Sequence, residues 1–208
     1  MINIKTLKNI KAFTLVELLI VIGLLGAIAL IVIAAINPIE QANRARDTRF
    51  KADGGQLVSA IERYFASRSE FPWMTVVSTI KTDDPLVFIT ASDESIGICG
   101  AACTGSDEAD YGVLINNDEL KREFRERDFV SATTTDEQIM IGKEQGSSAS
   151  VYACFVPLSK SFRDKACAAG KVYTISGSTR APIVANDTSC LASSDTWTTA
   201  PQYVCIPE

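Results

Sequence analysis

The sequence predicts an α+β fold: a long N-terminal α-helix, membrane-spanning in its first half and amphipathic in its second, packed on a small antiparallel β-sheet head. Three observations carry that expectation. Residues Phe13 to Ile36 (FTLVELLIVIGLLGAIALIVIAAI) form an apolar run of 24 with one charge, Glu17. Leu57, Ala60, Ile61, Tyr64 and Phe65 recur at the spacing of a single helical face. After Trp73, turn clusters alternate with short β-branched or aromatic runs.

The apolar run is long enough to span a bilayer, since roughly 20 apolar residues at 1.5 Å each cross a hydrocarbon core of about 30 Å. It exceeds the h-region of an ordinary secretory signal, about 7 to 15 residues. The preceding segment, residues 1–12, holds Lys5, Lys8 and Lys11 and no acid. The positive-inside rule therefore keeps this end in the cytoplasm. Arg44, Arg46, Arg49 and Lys51 on the far flank are also basic, but three of the four lie near Glu40 or Asp47. A carboxylate at membrane depth costs about 2.5 to 3.5 kcal/mol near a helix centre and less towards an end. Glu17 is therefore expected to have a partner.

Pro38 is expected to bend the helix, because proline removes one backbone donor and clashes with the preceding turn. Polar helix formers then continue towards Ser67, interrupted by Gly54 and Gly55 at about 1 kcal/mol each relative to alanine. One helix from about Phe13 to Ser67 is on the order of 80 Å long, so its outer half stands in water with its apolar stripe against a domain. Strands are expected at 86–90, 111–115, 138–142, 151–157, 171–176 and 202–206, with short helices at 118–127 and 159–169. The organisation is a leader at 1–12, a membrane helix at 13–36, its amphipathic continuation at 37–68 and a disulfide-containing head at 69–208.

Charge is unevenly spread. Residues 1–52 carry seven Lys and Arg against three acids, net +4, and residues 53–208 carry thirteen against twenty-two, net −9. The acidic part argues against a nucleic-acid partner, which requires phosphates to be neutralised. All six cysteines, Cys99, Cys103, Cys154, Cys167, Cys190 and Cys205, lie in that part. An even count there reads as disulfides formed in an oxidising compartment, free buried thiols being the alternative. Six cysteines allow 15 pairings; proximity favours 99 with 103, 154 with 167 and 190 with 205.

The chain has no histidine, which removes the commonest general base, the Ser/His and Cys/His dyads and nearly every catalytic zinc geometry. An enzyme is not expected, nor are catalytic residues, a metal or another cofactor. The three-residue spacing of Cys99 and Cys103 fits a small disulfide loop better than a metal site. Adjacent carboxylates Asp83/Asp84 and Asp93/Glu94 point apart on a strand and suit turns better than a catalytic dyad.

Lys11-Ala12-Phe13-Thr14-Leu15-Val16-Glu17-Leu18, with the apolar run behind it, resembles the type III signal peptide of type IV pilins and pseudopilins. The resemblance is strong from about Lys8 to Ile36. It continues through ANRARDTRFKADGGQLVSAIERYFASRSEFPW, which is similar to pilin helices ending in a Tyr-Phe pair and an aromatic-Pro turn, and it does not reach the residues beyond Trp73. It implies a pilin-like fold and cleavage between Ala12 and Phe13 by a prepilin peptidase, followed by N-methylation of Phe13. Alanine stands where the family usually has glycine, which keeps the position small, and Pro38 lies about a turn later than the family's helix-bending proline.

The resemblance also implies a role for Glu17 in assembly, as the attractor of the terminal amine of an adjacent subunit. The implied product is a structural subunit of a type IV pilus or related filament, a homo-oligomer with other pilins. Its partners would be the prepilin peptidase, the pilus assembly machinery and the membrane, and its head would lie outside the cytoplasm. Alternatives are a minor or tip pilin acting as a binding module, a type II secretion pseudopilin, and a signal-anchored extracellular protein that does not polymerise. Asp187, Asp195 and the carbonyls of Ser189 to Ser194 are similar in place to the calcium loop of major pseudopilins. Two acids are few for a cation that takes six to eight oxygens.

Overall fold

The structure is a computed structural model and describes residues 13–35, 37–100, 103, 110–185, 187, 188, 190 and 194–207, apart from the side chains of 34, 35, 194 and 195. The fold is α+β: an N-terminal apolar helix, a second helix and an antiparallel sheet. The chain divides into two compact units, Met1–Ile39 and Glu40–Glu208.

In the first unit, helix α1 (Leu15–Ala35) is the apolar run. Its 21 residues extend about 30 Å at 1.5 Å per residue. Asn37 is not helical, and helix α2 (Pro38–Arg68) begins on the proline itself. The expected single bent helix is thus two helices. The physical reason is that a proline costs no hydrogen bond at the first helical position, where the N–H has no intrahelical acceptor, but costs one in the interior.

In the second unit, the predicted stripe is buried as expected: Leu57, Ala60, Ile61 and Tyr64 are buried, and Phe65 is half-buried. Phe50, Val58 and the backbone at Gly54 widen the face. The two glycines differ in purpose. A Cβ on Gly54 would sit 3.2 Å from the Ala153 Cβ and 3.3 Å from Ile206 Cδ1, whereas one on Gly55 would meet nothing within 4 Å. Gly54 therefore lets α2 approach the sheet closely. Neither glycine breaks the helix.

Four strands, β1 (Leu86–Thr90), β2 (Ile139–Lys143), β3 (Val151–Phe155) and, beyond a two-stranded excursion, Val204–Ile206, form one antiparallel sheet in that order. The excursion is the hairpin β4 (Tyr173–Ser176) and β5 (Thr179–Pro182), which makes Val204–Ile206 strand β6. Both faces of the sheet are covered. Val151, Ala153 and Phe155 join the core under α2, while the alternate residues Tyr152 and Cys154 join a second cluster with Val172, Trp197, Tyr203 and Cys205, as the two-residue period of a strand requires.

The strand expected at 111–115 is corrected. Tyr111 makes only an isolated bridge to Cys99, and Val113–Asn116 is a single helical turn. A Cβ on Gly112 would lie 2.2 Å from the Gly97 carbonyl, so the backbones touch there and the chain turns instead of running on. The helix expected at 118–127 is reduced to a 3-10 turn at Arg122–Glu126. The one expected at 159–169 is present at Lys160–Ala168.

The disulfides correct two of the three expected pairings. Cys99 bonds Cys103 as expected, but Cys154 bonds Cys205 and Cys167 bonds Cys190. Cys154 and Cys205 stand opposite each other in the β3–β6 register. Adjacency across the sheet, not along the chain, sets that partner.

Candidate functional site

The first candidate site is the start of α1. Thr14 is the residue before the first helical position, and its carbonyl accepts the Leu18 N–H at 3.2 Å. The Thr14 hydroxyl accepts the Glu17 N–H at 3.2 Å, and Glu17 Oε2 accepts the Thr14 N–H at 3.0 Å and its hydroxyl at 2.9 Å. This is a reciprocal capping box, Thr-x-x-Glu, which satisfies donors that a helix N-terminus otherwise leaves open. The signal is present in the sequence as Thr14-Leu15-Val16-Glu17, the Thr-x-x-Glu spacing of a capping box, which the membrane cost of a carboxylate does not by itself reveal. All three bonds leave Oε1 out.

Every side chain described from Phe13 to Ile33 is exposed, Phe13 at 75%. The stretch Leu15–Ile33 has a mean hydropathy of 3.0 with none of it buried. An apolar helix with no core of its own is long enough for a single membrane span or a signal anchor. Ala12, half of the expected scissile bond, lies outside the described residues, as do Ile36 and the rest of the leader.

The second candidate is the attachment of the head to α2. Asp47 is fully buried, and its two oxygens accept the backbone N–H groups of Leu158 at 3.1 Å and Ser159 at 2.8 Å. Arg46 pairs with Asp47 at 3.2 Å, donates to the Val156 carbonyl and stacks 4.1 Å over the Phe50 ring. About two turns earlier on α2, Glu40 accepts the N–H groups of Lys160 at 2.9 Å and Ser161 at 3.1 Å and pairs with Arg44 at 3.1 Å. Two carboxylates of α2 therefore hold the N-terminal turn of the helix Lys160–Ala168, a favourable place for negative charge. The basic stretch of α2 is in consequence not simply a solvated face. Arg46 is an internal stacking and pairing residue, while Arg49 makes a 3.7 Å pair with exposed Asp128.

Partial burial pushes the Glu40 carboxyl up, but the Ser161 and Lys160 N–H groups and Arg44 outweigh it and hold its pKa at about 2. A folded pKa below the ordinary 4.5 means that this stabilisation is whole above pH 4.5 and is lost as pH falls through about 2. The stability difference between the unaltered chain and Glu40→Gln should therefore shrink as thermal unfolding is followed from pH 5 to pH 2. A constant difference would contradict the contact.

The remaining sequence candidates fall into structural roles. Asp84 accepts the Lys81 N–H at 2.8 Å in a turn, and Asp93 caps the 3-10 turn Glu94–Ile96 through Ser95. Cys99 and Cys103 are bonded to each other, not held for a metal. Asp187 lies in a turn in which the Cys190 N–H donates to its carbonyl; Ser189, residues 191–193 and the Asp195 side chain lie outside the described residues. Among the described residues, no group of three or more His, Cys, Asp or Glu converges for a metal ion. Lys143, whose place in a short β-branched run gives no sign of a polar role, is fully buried on β2 and donates to the carbonyls of Asp84, Glu144 and Gly146 at 2.7 to 3.3 Å.

Comparison with protein-family models, with curated proteins and with solved structures gives no match to this chain.

Proposed function

We propose that this chain is a structural subunit of a type IV pilus or pilus-like filament, cut between Ala12 and Phe13, methylated on Phe13 and assembled through α1. The observation that carries the reading is Glu17: the one charge of an otherwise apolar helix whose described side chains are all exposed, four residues after an Ala-Phe bond that follows a basic leader. Cleavage creates an amine at Phe13 that stays positive when methylated. In hydrocarbon, the Glu17 carboxylate of one subunit and the Phe13 amine of another attract strongly and fix an axial register. Removing one charge leaves the other buried and unpaired, which costs several kcal/mol. The three disulfides suit a head that works in an oxidising environment outside the cytoplasm.

One observation favours a second reading, an anchored extracellular protein that never polymerises. Thr14 already occupies Glu17 Oε2, so the carboxylate has a use within its own chain. Two substitutions separate the roles. Glutamine at position 17 retains a capping-box acceptor but no charge, and alanine retains neither. In the filament reading, Glu17→Gln and Glu17→Ala both cut the amount of this chain in sheared filaments, on the order of tenfold or more. Normal incorporation of Glu17→Gln beside loss of Glu17→Ala would assign Glu17 to capping and overturn its register role.

A further inference from the structure

The six cysteines of the head are not equally accessible. Cys103 is partly exposed, whereas Cys99, Cys154, Cys167, Cys190 and Cys205 are each at most 2% exposed. Cys154–Cys205 and Cys167–Cys190 therefore join two buried residues each, and Cys99–Cys103 alone can be approached from one side. We propose that Cys99–Cys103 is a thiol–disulfide exchange site for a dithiol, entered at Cys103 Sγ. Exchange requires a thiolate to reach one sulfur of the bond, so access decides both which bond reacts and which of its sulfurs is attacked. Cys103 Sγ lies 3.5 Å from the Ser92 carbonyl oxygen, at the margin of the core in which Cys99 is enclosed.

The surroundings of the bond let it open in an intact head. Cys99 makes an antiparallel bridge to Tyr111, the Gly100 N–H donates to the Asp110 carbonyl at 2.7 Å, and the Gly112 N–H donates to the Ile98 carbonyl at 3.1 Å. None of these contacts uses a sulfur. The bond joins residues 4 apart, against 23 and 51 for the other two, so the head depends on it least. In the exchange, a thiolate of the dithiol attacks Cys103 Sγ, the S–S bond breaks, and Cys99 leaves as a thiolate. Cys99 takes up the proton that the attacking thiol gave up and stays in the core as a small apolar thiol. The second thiol of the dithiol, deprotonated in turn, attacks the sulfur bonded to Cys103 and expels Cys103, which is protonated. The dithiol ends as a disulfide and the chain as two thiols, a two-electron transfer that runs in reverse by the same path. Exchange at Cys103 does not depend on filament assembly.

The test is limited reduction of the full chain in detergent, quenched with N-ethylmaleimide and mapped by mass spectrometry. Dithiothreitol is the compact probe and reduced thioredoxin the protein-borne one. Cys99 and Cys103 should be labelled on the order of tenfold faster than the other four cysteines, whose bonds wait for local opening. With the monothiol 2-mercaptoethanol, the trapped adduct should sit on Cys103 and the maleimide on Cys99. Near-ultraviolet circular dichroism should persist while this bond alone is open. Faster opening by micromolar thioredoxin than by millimolar dithiothreitol would identify a dithiol carried on a protein, and the converse a small one. Equal labelling of all six cysteines, earlier labelling of Cys167 and Cys190, an adduct on Cys99, or loss of the dichroism would each overturn the proposal. So would early labelling in a Cys99→Ala/Cys103→Ala chain, where none is expected.

Discussion

Replacing Asp47 by alanine is expected to destabilise the head by about 3 to 5 kcal/mol, the range for breaking a buried charged pair. The carboxylate is fully buried, and both its oxygens are used, by the N–H groups of Leu158 and Ser159, with Arg46 alongside. Alanine would leave two backbone donors without their acceptor and a mostly buried guanidinium without its counter-charge. Asparagine should be intermediate, since it keeps one acceptor oxygen but turns an amide donor towards one of the same N–H groups. Denaturant unfolding of the full chain in detergent, followed through Trp73 and Trp197, checks the order Asp47→Ala worst, Asp47→Asn between, unaltered chain best. A loss under about 1 kcal/mol for alanine would show that the contact between α2 and residues 158–159 is not what holds the head.

Removal of the Cys154–Cys205 bond is the second large effect. It closes a span of 51 residues, worth about 4 kcal/mol in the chain-entropy model, against about 3 for Cys167–Cys190 and about 2 for Cys99–Cys103. The bond also pins β6 to β3, and the intervening chain carries the β4–β5 hairpin and the nested Cys167–Cys190 bridge. A Cys154→Ala/Cys205→Ala chain should lose most, Cys167→Ala/Cys190→Ala less and Cys99→Ala/Cys103→Ala least, in denaturant midpoint at equal slope. A reversed order would mean that native packing, not the unfolded chain, dominates the effect of the bridges.

The parts of this fold that depend on local pattern were legible in the sequence. The apolar run becomes α1, the stripe from Leu57 to Tyr64 becomes the buried face of α2, and β1 spans the predicted 86–90. The parts that depend on chain segments meeting at long range were not. Cysteine pairing followed the β3–β6 register, which no spacing rule encodes. Strand β5, Thr-Arg-Ala-Pro, lacks the apolar alternation of a strand because it is largely exposed. Its Arg180 instead stacks 3.3 Å over the Tyr152 ring and pairs with Glu144. Asp47 reads in sequence as one charge in a charged stretch. Only the fold shows that it points into the head, where it meets backbone 111 and 112 residues away. At Glu17 the reverse holds: the capping box was written in four consecutive residues and needed only to be read.

The central claim is that Phe13 becomes a methylated N-terminus facing the charge at Glu17. Intact mass of the protein from its native host tests it most directly. The account predicts a chain lacking residues 1–12 and heavier than Phe13–Glu208 with its three disulfides by one methyl group. A chain that keeps its leader, or one cut after the apolar run, would contradict it.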